Sequence, residues 1–289
     1  MTILVTGATG TVGRQVVEHL LQRGATVRAL VRTPADANLP AGVELHQGDQ
    51  LDVDALRTAF DGVSTLFLLN AVVADEFTQA LITLNVAREA GVKRVVYLSV
   101  IHSDRYVNVP HFAGKYGVER MIEQMGFSAT ILRPAYFMDN DVTVKDVVQG
   151  YGVYPMPIGS KGLAMIDTRD IAEIAALELI ARDKAAEDSA VTRLNLVGPE
   201  ALTGTDVAGI WSEVLGRSIA YGGDDTAGFE QNMRQFMPPW MAYDMRQMAE
   251  RFISDGMLPA AGDVERLMQL LGRPLRSYRG FATEIAAAG

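Results

Sequence analysis

The sequence predicts an α/β protein built on a doubly wound parallel sheet, with a smaller, mostly helical lobe towards the C-terminus. Over the first half of the chain, short β-branched segments that are apolar on both faces alternate with amphipathic stretches. This alternation is typical of a parallel sheet covered by helices on both sides. In addition, Gly24, Gly62, Gly91 and Gly126 each follow a helical stretch, at the place where a left-handed residue ends a helix.

The predicted elements alternate regularly up to residue 133. Strands are predicted at 2–6, 26–31, 43–47, 64–69, 94–100 and 128–133. Helices are predicted at 11–23, 52–60, 76–90 and 111–125. The longer connections carry helices, so consecutive strands can run in the same direction.

The alternation loosens after Pro134. The glycine- and proline-rich stretch 150–162 predicts a loop, 167–180 predicts a capped helix, and 192–198 predicts one further strand. The rest of the chain is mostly helical in pattern. Its Met- and Trp-containing stretch 233–252 either covers an apolar substrate or, as is more common, packs into a core.

We therefore expect two domains. Residues 1–155 form the first, to which 164–198 returns, and residues 199–289 form the smaller lobe on the substrate side. In folds of this kind ligands bind at the carboxyl ends of the strands, where such a lobe would cover them.

Composition excludes several classes of function. The chain of 289 residues has 35 acidic and 26 basic residues and no basic block, so we expect no binding to nucleic acid. It has no cysteine, which excludes disulfides, thiolate metal sites and cysteine nucleophiles. The N-terminus has neither a basic leader nor an apolar run of membrane-spanning length, which indicates a cytoplasmic protein that does not enter the membrane.

A glycine-rich turn follows the first strand in "VTGATGTVGR" and opens the first helix. The glycines are spaced GxxGxxG, and they allow the backbone to approach a pyrophosphate whose charge is met by N–H groups at the helix N-terminus. The alternative is a tight turn without a ligand. The context favours a dinucleotide site, for which the predicted contacts are Gly7, Thr9, Gly10, Thr11, Val12 and Gly13.

The end of the second strand indicates which dinucleotide binds. An acidic residue there would bind the ribose hydroxyls and repel a 2′-phosphate, but this chain has Arg32. A guanidinium suits a phosphate, so NADP(H) is expected, with NAD possible. Arg14 is a second candidate contact. The alternative for both arginines is a solvated surface charge.

Two polar residues follow the third and fourth strands. Asp49 either binds the adenine edge or caps the helix that begins near Asp52. Asn70 is expected to face the same crevice. Asp167 and Asp170 precede an apolar helical run and are interpreted as helix-capping residues, so no metal site is predicted.

Together these residues resemble the short-chain dehydrogenase/reductase superfamily with its Rossmann-like fold, and in particular the atypical NmrA-like branch. The similarity covers nearly the whole chain. It is carried by "GATGTVGR" (7–14), "GVKRVVYLS" (91–99), "KYGVE" (115–119), "TILRPAYFMDN" (130–140), "DTRDIA" (167–172) and "DVERLMQLLGRPLRSYRGF" (263–281). This branch includes NADPH-dependent quinone and triphenylmethane-dye reductases and also redox-sensing regulators.

The resemblance matches three residues of this chain to the motif of the superfamily and shows one departure. In the dehydrogenases, a YxxxK helix supplies a tyrosine acid and a lysine that lowers the pKa of this tyrosine and binds the nicotinamide ribose. A serine at the end of the fifth strand orients the substrate oxygen. Here the serine matches Ser99, the lysine matches Lys115 and a trailing glutamate matches Glu119, but the tyrosine position is His111.

A histidine at this position can still donate a hydrogen bond, although the ammonium of Lys115 one turn away should disfavour a second positive charge. Such a donor suits a quinone or a conjugated dye better than a ketone, because these acceptors delocalise the charge that arrives with the hydride. The alternative for His111 is a structural role at the start of the helix. Tyr136 is a second candidate near the nicotinamide.

The expected function is that of an NADPH-dependent reductase of an apolar, conjugated small molecule such as a quinone. A non-catalytic NADP(H) sensor that signals to a protein partner is one alternative. An enzyme that modifies an aromatic or polyketide intermediate is another, because one scaffold can host several chemistries.

Overall fold

The computed structural model describes residues 2–288. Its main sheet has seven strands in the order β3-β2-β1-β4-β5-β6-β8. These strands are β1 (Thr2–Val5), β2 (Thr26–Val31), β3 (Glu44–Gln47), β4 (Val63–Leu68), β5 (Arg94–Leu98), β6 (Ser128–Pro134) and β8 (Thr192–Leu196). All pairings from β3 across to β6 are parallel. The predicted doubly wound fold class is confirmed.

The helices of the first part of the chain lie where the sequence predicts them, within one or two residues. They are α1 (Thr11–Gln22), α2 (Val53–Ala59), α3 (Glu76–Glu89) and α4 (Pro110–Gln124). The later helices are α5 (Lys145–Tyr151), α6 (Thr168–Lys184), α7 (Gly204–Leu215), α8 (Thr226–Met233), α9 (Pro239–Ser254), α10 (Asp263–Leu271) and α11 (Tyr278–Ala287). Gly24, Gly62, Gly91 and Gly126 all have positive φ, as expected for residues that end helices.

The order of the strands reverses direction at β1, which has β2 on one side and β4 on the other. In parallel sheets this reversal leaves a crevice at the carboxyl ends of the two central strands. Gly7 follows β1 and Asn70 follows β4, so the predicted cofactor residues lie at the reversal.

The chain divides into two compact units. Unit 1 comprises the residues up to Val100, Gly114–Arg133 and Ile171–Leu194. Unit 2 comprises Ile101–Ala113, Pro134–Asp170 and the residues from Asn195 onward. The domain limits expected from the sequence, 1–155 and 199–289, remain a prediction.

Each unit has its own apolar core. In unit 1, strand residues such as Leu66 and Val95 pack with helix residues such as Leu84 and Ile122, all of them inaccessible to solvent. In unit 2 the largest buried side chains include Trp211, Tyr154, Tyr278 and Phe252. Burying such aromatic side chains contributes roughly 2–3 kcal/mol each.

The stretch 150–162 differs from the predicted loop. Its first residues end α5, and Val153–Tyr154 forms a short strand, β7, which pairs in parallel with β9 (Ala220–Tyr221). The pairing joins segments that are far apart in the chain, so local composition does not reveal it. Within residues 2–288, no helix is both long enough and apolar enough to span a bilayer.

Candidate active site

The turn after β1 is closed in a way that only glycine permits. Gly7 has φ +62°, and a Cβ there would lie 2.9 Å from the side chain of Leu69. A Cβ on Gly13 would lie 2.1 Å from the carbonyl oxygen of Gly7, inside any van der Waals contact. Because both positions exclude a side chain, the backbone of the turn and the start of α1 pack directly against each other.

The N-terminus of α1 is open to an anion. Its N-cap is Gly10, which contributes no side-chain cap, and its first turn has no acidic residue. The intrahelical bonds begin with the N–H of Arg14 on the carbonyl of Gly10, at 3.0 Å. The N–H groups of Thr11, Val12 and Gly13 therefore precede the helical ladder and can bind phosphate oxygens. Thr9 and Gly10 are exposed beside them.

Asn70, at the end of β4, also fits a ligand. Its side chain is buried, its Nδ2 donates to Oε1 of Gln50 at 2.9 Å, and its Oδ1 has no partner. A buried acceptor without a donor is costly, and a bound group with an N–H or O–H would satisfy it. Together with the glycine turn, this acceptor fits a dinucleotide. Gln50 is a residue that the sequence analysis missed.

Arg32 is exposed and Arg14 is half-buried, and neither guanidinium forms an ion pair with any residue in the range 2–288. Both are therefore available to a phosphate. Asp49 accepts the N–H of Leu51 at 2.9 Å, while Asp52 caps α2 by accepting the N–H of Ala55 at 3.0 Å. The capping role considered for Asp49 thus belongs to Asp52.

The motif lysine is held by a carboxylate. Lys115 is 8% exposed, and its Nζ donates to Oε1 of Glu76 at 2.6 Å. Glu76 is itself buried and lies in the first turn of α3, where the helix dipole favours a negative charge. The ammonium is thus fixed in position, and its charge is balanced within unit 1.

The motif serine is bound in a second buried network of unit 1. The hydroxyl of Ser99 donates to Oε1 of Glu119 at 2.5 Å. Arg133 binds the same carboxylate through Nε at 2.9 Å and through a second nitrogen at 2.5 Å. Since Glu119 is inaccessible to solvent, Arg133 supplies the compensating charge that a buried carboxylate needs.

His111 lies in the first turn of α4, in unit 2, and contacts Asp244 of α9. Its backbone N–H donates to Oδ1 of Asp244 at 3.0 Å, and its ring Nδ1 pairs with Oδ2 of the same carboxylate. Asp244 is fully buried, whereas the side chain of His111 is 10% exposed. Nε2 has no hydrogen-bond partner among the described residues 2–288. Nδ1 is therefore held by Asp244, and Nε2 is available to a ligand.

Tyr136 is buried in unit 2 and donates its hydroxyl to Oδ1 of Asp141 at 3.0 Å. Tyr154 and Tyr278 donate to Oδ2 of Asp141 at 2.9 and 2.6 Å. Burial, followed by the charge of Asp141, raises the pKa of Tyr136 well above its usual value. Tyr136 is consequently a weaker proton donor than a solvent-accessible tyrosine.

Asp167 and Asp170 serve different contacts. Asp167 accepts the N–H of Arg169 at 2.8 Å at the start of α6, as a capping residue does. Asp170 instead binds the backbone N–H of Arg276 at 2.8 Å and the guanidinium of Arg273 at 2.9 Å. No cluster of metal-ligating side chains occurs in the described part of the chain.

The four predicted catalytic residues are divided equally between the two units. Lys115 and Ser99 belong to unit 1, and His111 and Tyr136 belong to unit 2. His111 and Lys115 are one turn apart in α4, and the division between the units falls inside this helix. Glu76, the partner of Lys115, and Asp244, the partner of His111, were not predicted from the sequence.

The reversal of strand order and the glycine turn define a Rossmann-like nucleotide-binding protein. Residues 1–278 match the model of the NmrA-like family, and the chain belongs to this family. The resemblance stated from the sequence is confirmed.

Two relatives match nearly the whole chain. The chain is 31% identical over 291 residues to an NAD(P)H azoreductase of Xenophilus azovorans, covering 99% of this chain and 98% of that protein. It is 29% identical over 278 residues to quinone oxidoreductase 2 of Escherichia coli, covering 94% of each.

Solved structures show the same fold. The NADPH complex of the Escherichia coli quinone oxidoreductase has a TM-score of 0.87, with 25% identity over 98% of this chain and 99% of that one. The NADP(H) complex of a triphenylmethane reductase from Citrobacter sp. has a TM-score of 0.84, with 24% identity over 98% and 99%.

Proposed function

We propose that this protein is an NADPH-dependent reductase that transfers hydride to a conjugated, largely apolar small molecule such as a quinone or an azo dye. The observation that carries the proposal is the turn at Gly7–Gly13, which leaves the N-terminus of α1 without a capping side chain and without an acidic residue in its first turn. The azoreductase and quinone reductase relatives support the choice of reaction.

The residues of unit 1 fit the cofactor's successive groups. The N–H groups after Gly10 bind the pyrophosphate, and Arg32 binds the 2′-phosphate. Asn70 and Asp49 lie after β4 and β3 and accept hydrogen bonds from the nucleotide. Lys115, positioned by Glu76, binds the nicotinamide ribose. When bound, the nicotinamide supplies the hydride.

Conjugated acceptors suit His111, the residue at the position of the catalytic tyrosine. The hydride brings negative charge, which a quinone or azo group spreads over several atoms, so a single proton donor suffices. His111 can supply this donor, while Ser99 is committed to Glu119. The cytoplasmic location expected from the sequence belongs to the same proposal.

The proposal is tested by mixing the protein and NADPH with quinones, azo dyes, triphenylmethane dyes and aliphatic ketones, and following the loss of nicotinamide absorbance. We expect oxidation with some of the conjugated acceptors and little with the ketones. Tight binding of NADPH in calorimetry without oxidation by any acceptor would contradict the reductase and favour an NADP(H) sensor.

A further inference from the structure

We propose that Asp244 is a positioning residue that fixes the tautomer of His111, so that Nε2 is the nitrogen that gives a proton to the reduced acceptor. The catalytic part of this inference rests on the proposed reductase function. The state of the imidazole ring does not, and it can be measured separately.

Asp244 contacts His111 at two points. One carboxylate binds the backbone N–H and the ring Nδ1 of the same residue, His111, from a helix that begins 128 residues later. An ionised carboxylate only accepts hydrogen bonds, so Nδ1 must carry a hydrogen. The neutral ring then has its lone pair on Nε2, and the protonated ring has a transferable proton there.

The ring of His111 is also held rigidly. The segment before His111 is fastened to α9 at further points: Asn108 Nδ2 donates to Gln247 at 3.2 Å, and Arg251 Nε donates to Asn108 at 2.6 Å. Phe112 contacts the histidine ring edge-on, with the ring centroids 4.6 Å apart. A ring held by a carboxylate and an aromatic neighbour has little freedom to turn.

The contact between Asp244 and His111 suits the proton transfer that the reaction requires. Reduction of a quinone consumes a hydride, with its two electrons, and a proton. If Nε2–H of the protonated His111 gives this proton to the quinone oxygen, the ring is left neutral with its hydrogen on Nδ1, where Asp244 already accepts it. Water then reprotonates Nε2. His111, positioned by Asp244, thus donates the proton that a tyrosine donates in related dehydrogenases, and it does so from a ring nitrogen.

The test uses Asp244→Asn. The backbone N–H of His111 needs an acceptor, so the amide oxygen of the asparagine must face it and the NH₂ group must face Nδ1. An NH₂ group donates, and it therefore requires a lone pair on Nδ1 and moves the hydrogen of the neutral ring to Nε2.

The tautomer is read by long-range ¹H–¹⁵N correlation of the histidine rings, at a pH at which the ring of His111 is neutral. The chain has only four histidines, and His111→Gln identifies the signal. We expect hydrogen on Nδ1 in the wild type and on Nε2 in Asp244→Asn. Hydrogen on Nε2 in the wild type, or an unchanged tautomer in the variant, would overturn the proposal.

Activity provides the second measurement. With the best acceptor, Asp244→Asn should lower kcat by about 10²–10³-fold with little change in the KM for NADPH. Asp225→Asn is the matched control, because Asp225 caps α8 by accepting the N–H of Gly228 at 2.9 Å and asparagine caps equally well. A kcat for Asp244→Asn equal to that of the control would refute the catalytic role.

The two failures are distinguishable. Suppose that none of the acceptors supports NADPH oxidation by the wild type, but the expected tautomers are observed. The reductase function is then wrong, and the contact between Asp244 and His111 still fixes the tautomer. If the wild type is active but the tautomer does not change, the reductase stands and the role of Asp244 is wrong.

Discussion

Units 1 and 2 present their candidate functional groups by different means. In unit 1 the candidate nucleotide site consists largely of backbone N–H groups, exposed because Gly7, Gly10 and Gly13 carry no side chain. In unit 2 the candidate site is a side chain, His111, held by the buried carboxylate of Asp244. A site made of backbone N–H groups requires that no side chain fill the space beside them, whereas a site made of one side chain requires the residue that positions it. We therefore expect different substitutions to inactivate the two sites.

The largest effect is expected at the buried ion pair of unit 1. Lys115→Met leaves Glu76 buried without its cation, which should lower the free energy of unfolding by about 3–5 kcal/mol and abolish reductase activity. Lys115→Met combined with Glu76→Leu should recover most of the stability but none of the activity.

Urea denaturation and NADPH oxidation separate these outcomes. Lys93→Met is the control, because Lys93 forms an exposed pair with Asp188 at 3.7 Å, and such pairs contribute at most about 1 kcal/mol. Recovery of activity in the double variant would show that Lys115 has no role beyond stability.

The backbone site is tested next by Gly13→Ala. A Cβ at 2.1 Å from the carbonyl oxygen of Gly7 must push the turn open, and we expect NADPH binding to weaken by at least about 10²-fold, or roughly 3 kcal/mol. Calorimetry measures the dissociation constant. The helical Gly209, where a Cβ meets nothing within 4 Å, gives the control Gly209→Ala, which should bind normally and gain up to about 1 kcal/mol of stability.

The stability of unit 2 should depend on pH through the protonation of Asp141. Burial raises the pKa of Asp141 from its usual 3.8 to about 6, although the hydroxyls of Tyr278, Tyr154 and Tyr136 oppose this shift. The folded state then binds the proton more tightly than the unfolded state, so the contribution of Asp141 is fully present below pH 3.8 and is lost as pH rises through about 6. The loss is of order 2–3 kcal/mol.

This prediction is checked by measuring denaturation from pH 4 to pH 7 for the wild type and Asp141→Asn. The wild type should lose stability relative to the variant as the pH rises. Parallel pH profiles would show that Asp141 does not take up a proton on folding.

The smallest effect concerns cofactor choice. Arg32→Asp places a negative charge where we expect the 2′-phosphate, and it should lower the preference for NADPH over NADH by roughly 10-fold or more, about 1.4 kcal/mol. The ratio of the two dissociation constants measures this. An unchanged ratio would assign Arg32 to the solvated surface, and Arg14→Asp would then test the second unpaired arginine.

The sequence predicts the sheet and its first four helices closely, because each element is encoded by local periodicity and ended by a local glycine such as Gly24 or Gly62. It also indicates the backbone site, since the glycine turn lies within one short segment. Glu76 and Asp244 were missed because they reach Lys115 and His111 across 39 and 133 residues. An acid at the start of a helix or an aspartate within one is common, so only the tertiary contact distinguishes them.

The three tyrosine hydroxyls on Asp141 constrain the order in which unit 2 can mature during synthesis. Tyr136 and Tyr154 emerge from the ribosome within 13 residues of Asp141, but Tyr278 follows 137 residues later. Until then the carboxylate lacks one of its donors, and the indole of Trp211 lacks the oxygen to which it donates at 3.0 Å. Unit 1 is complete by Leu194. A nascent chain can accordingly complete the core of unit 1 before that of unit 2, in keeping with the tendency of domains to fold as units from the N-terminus.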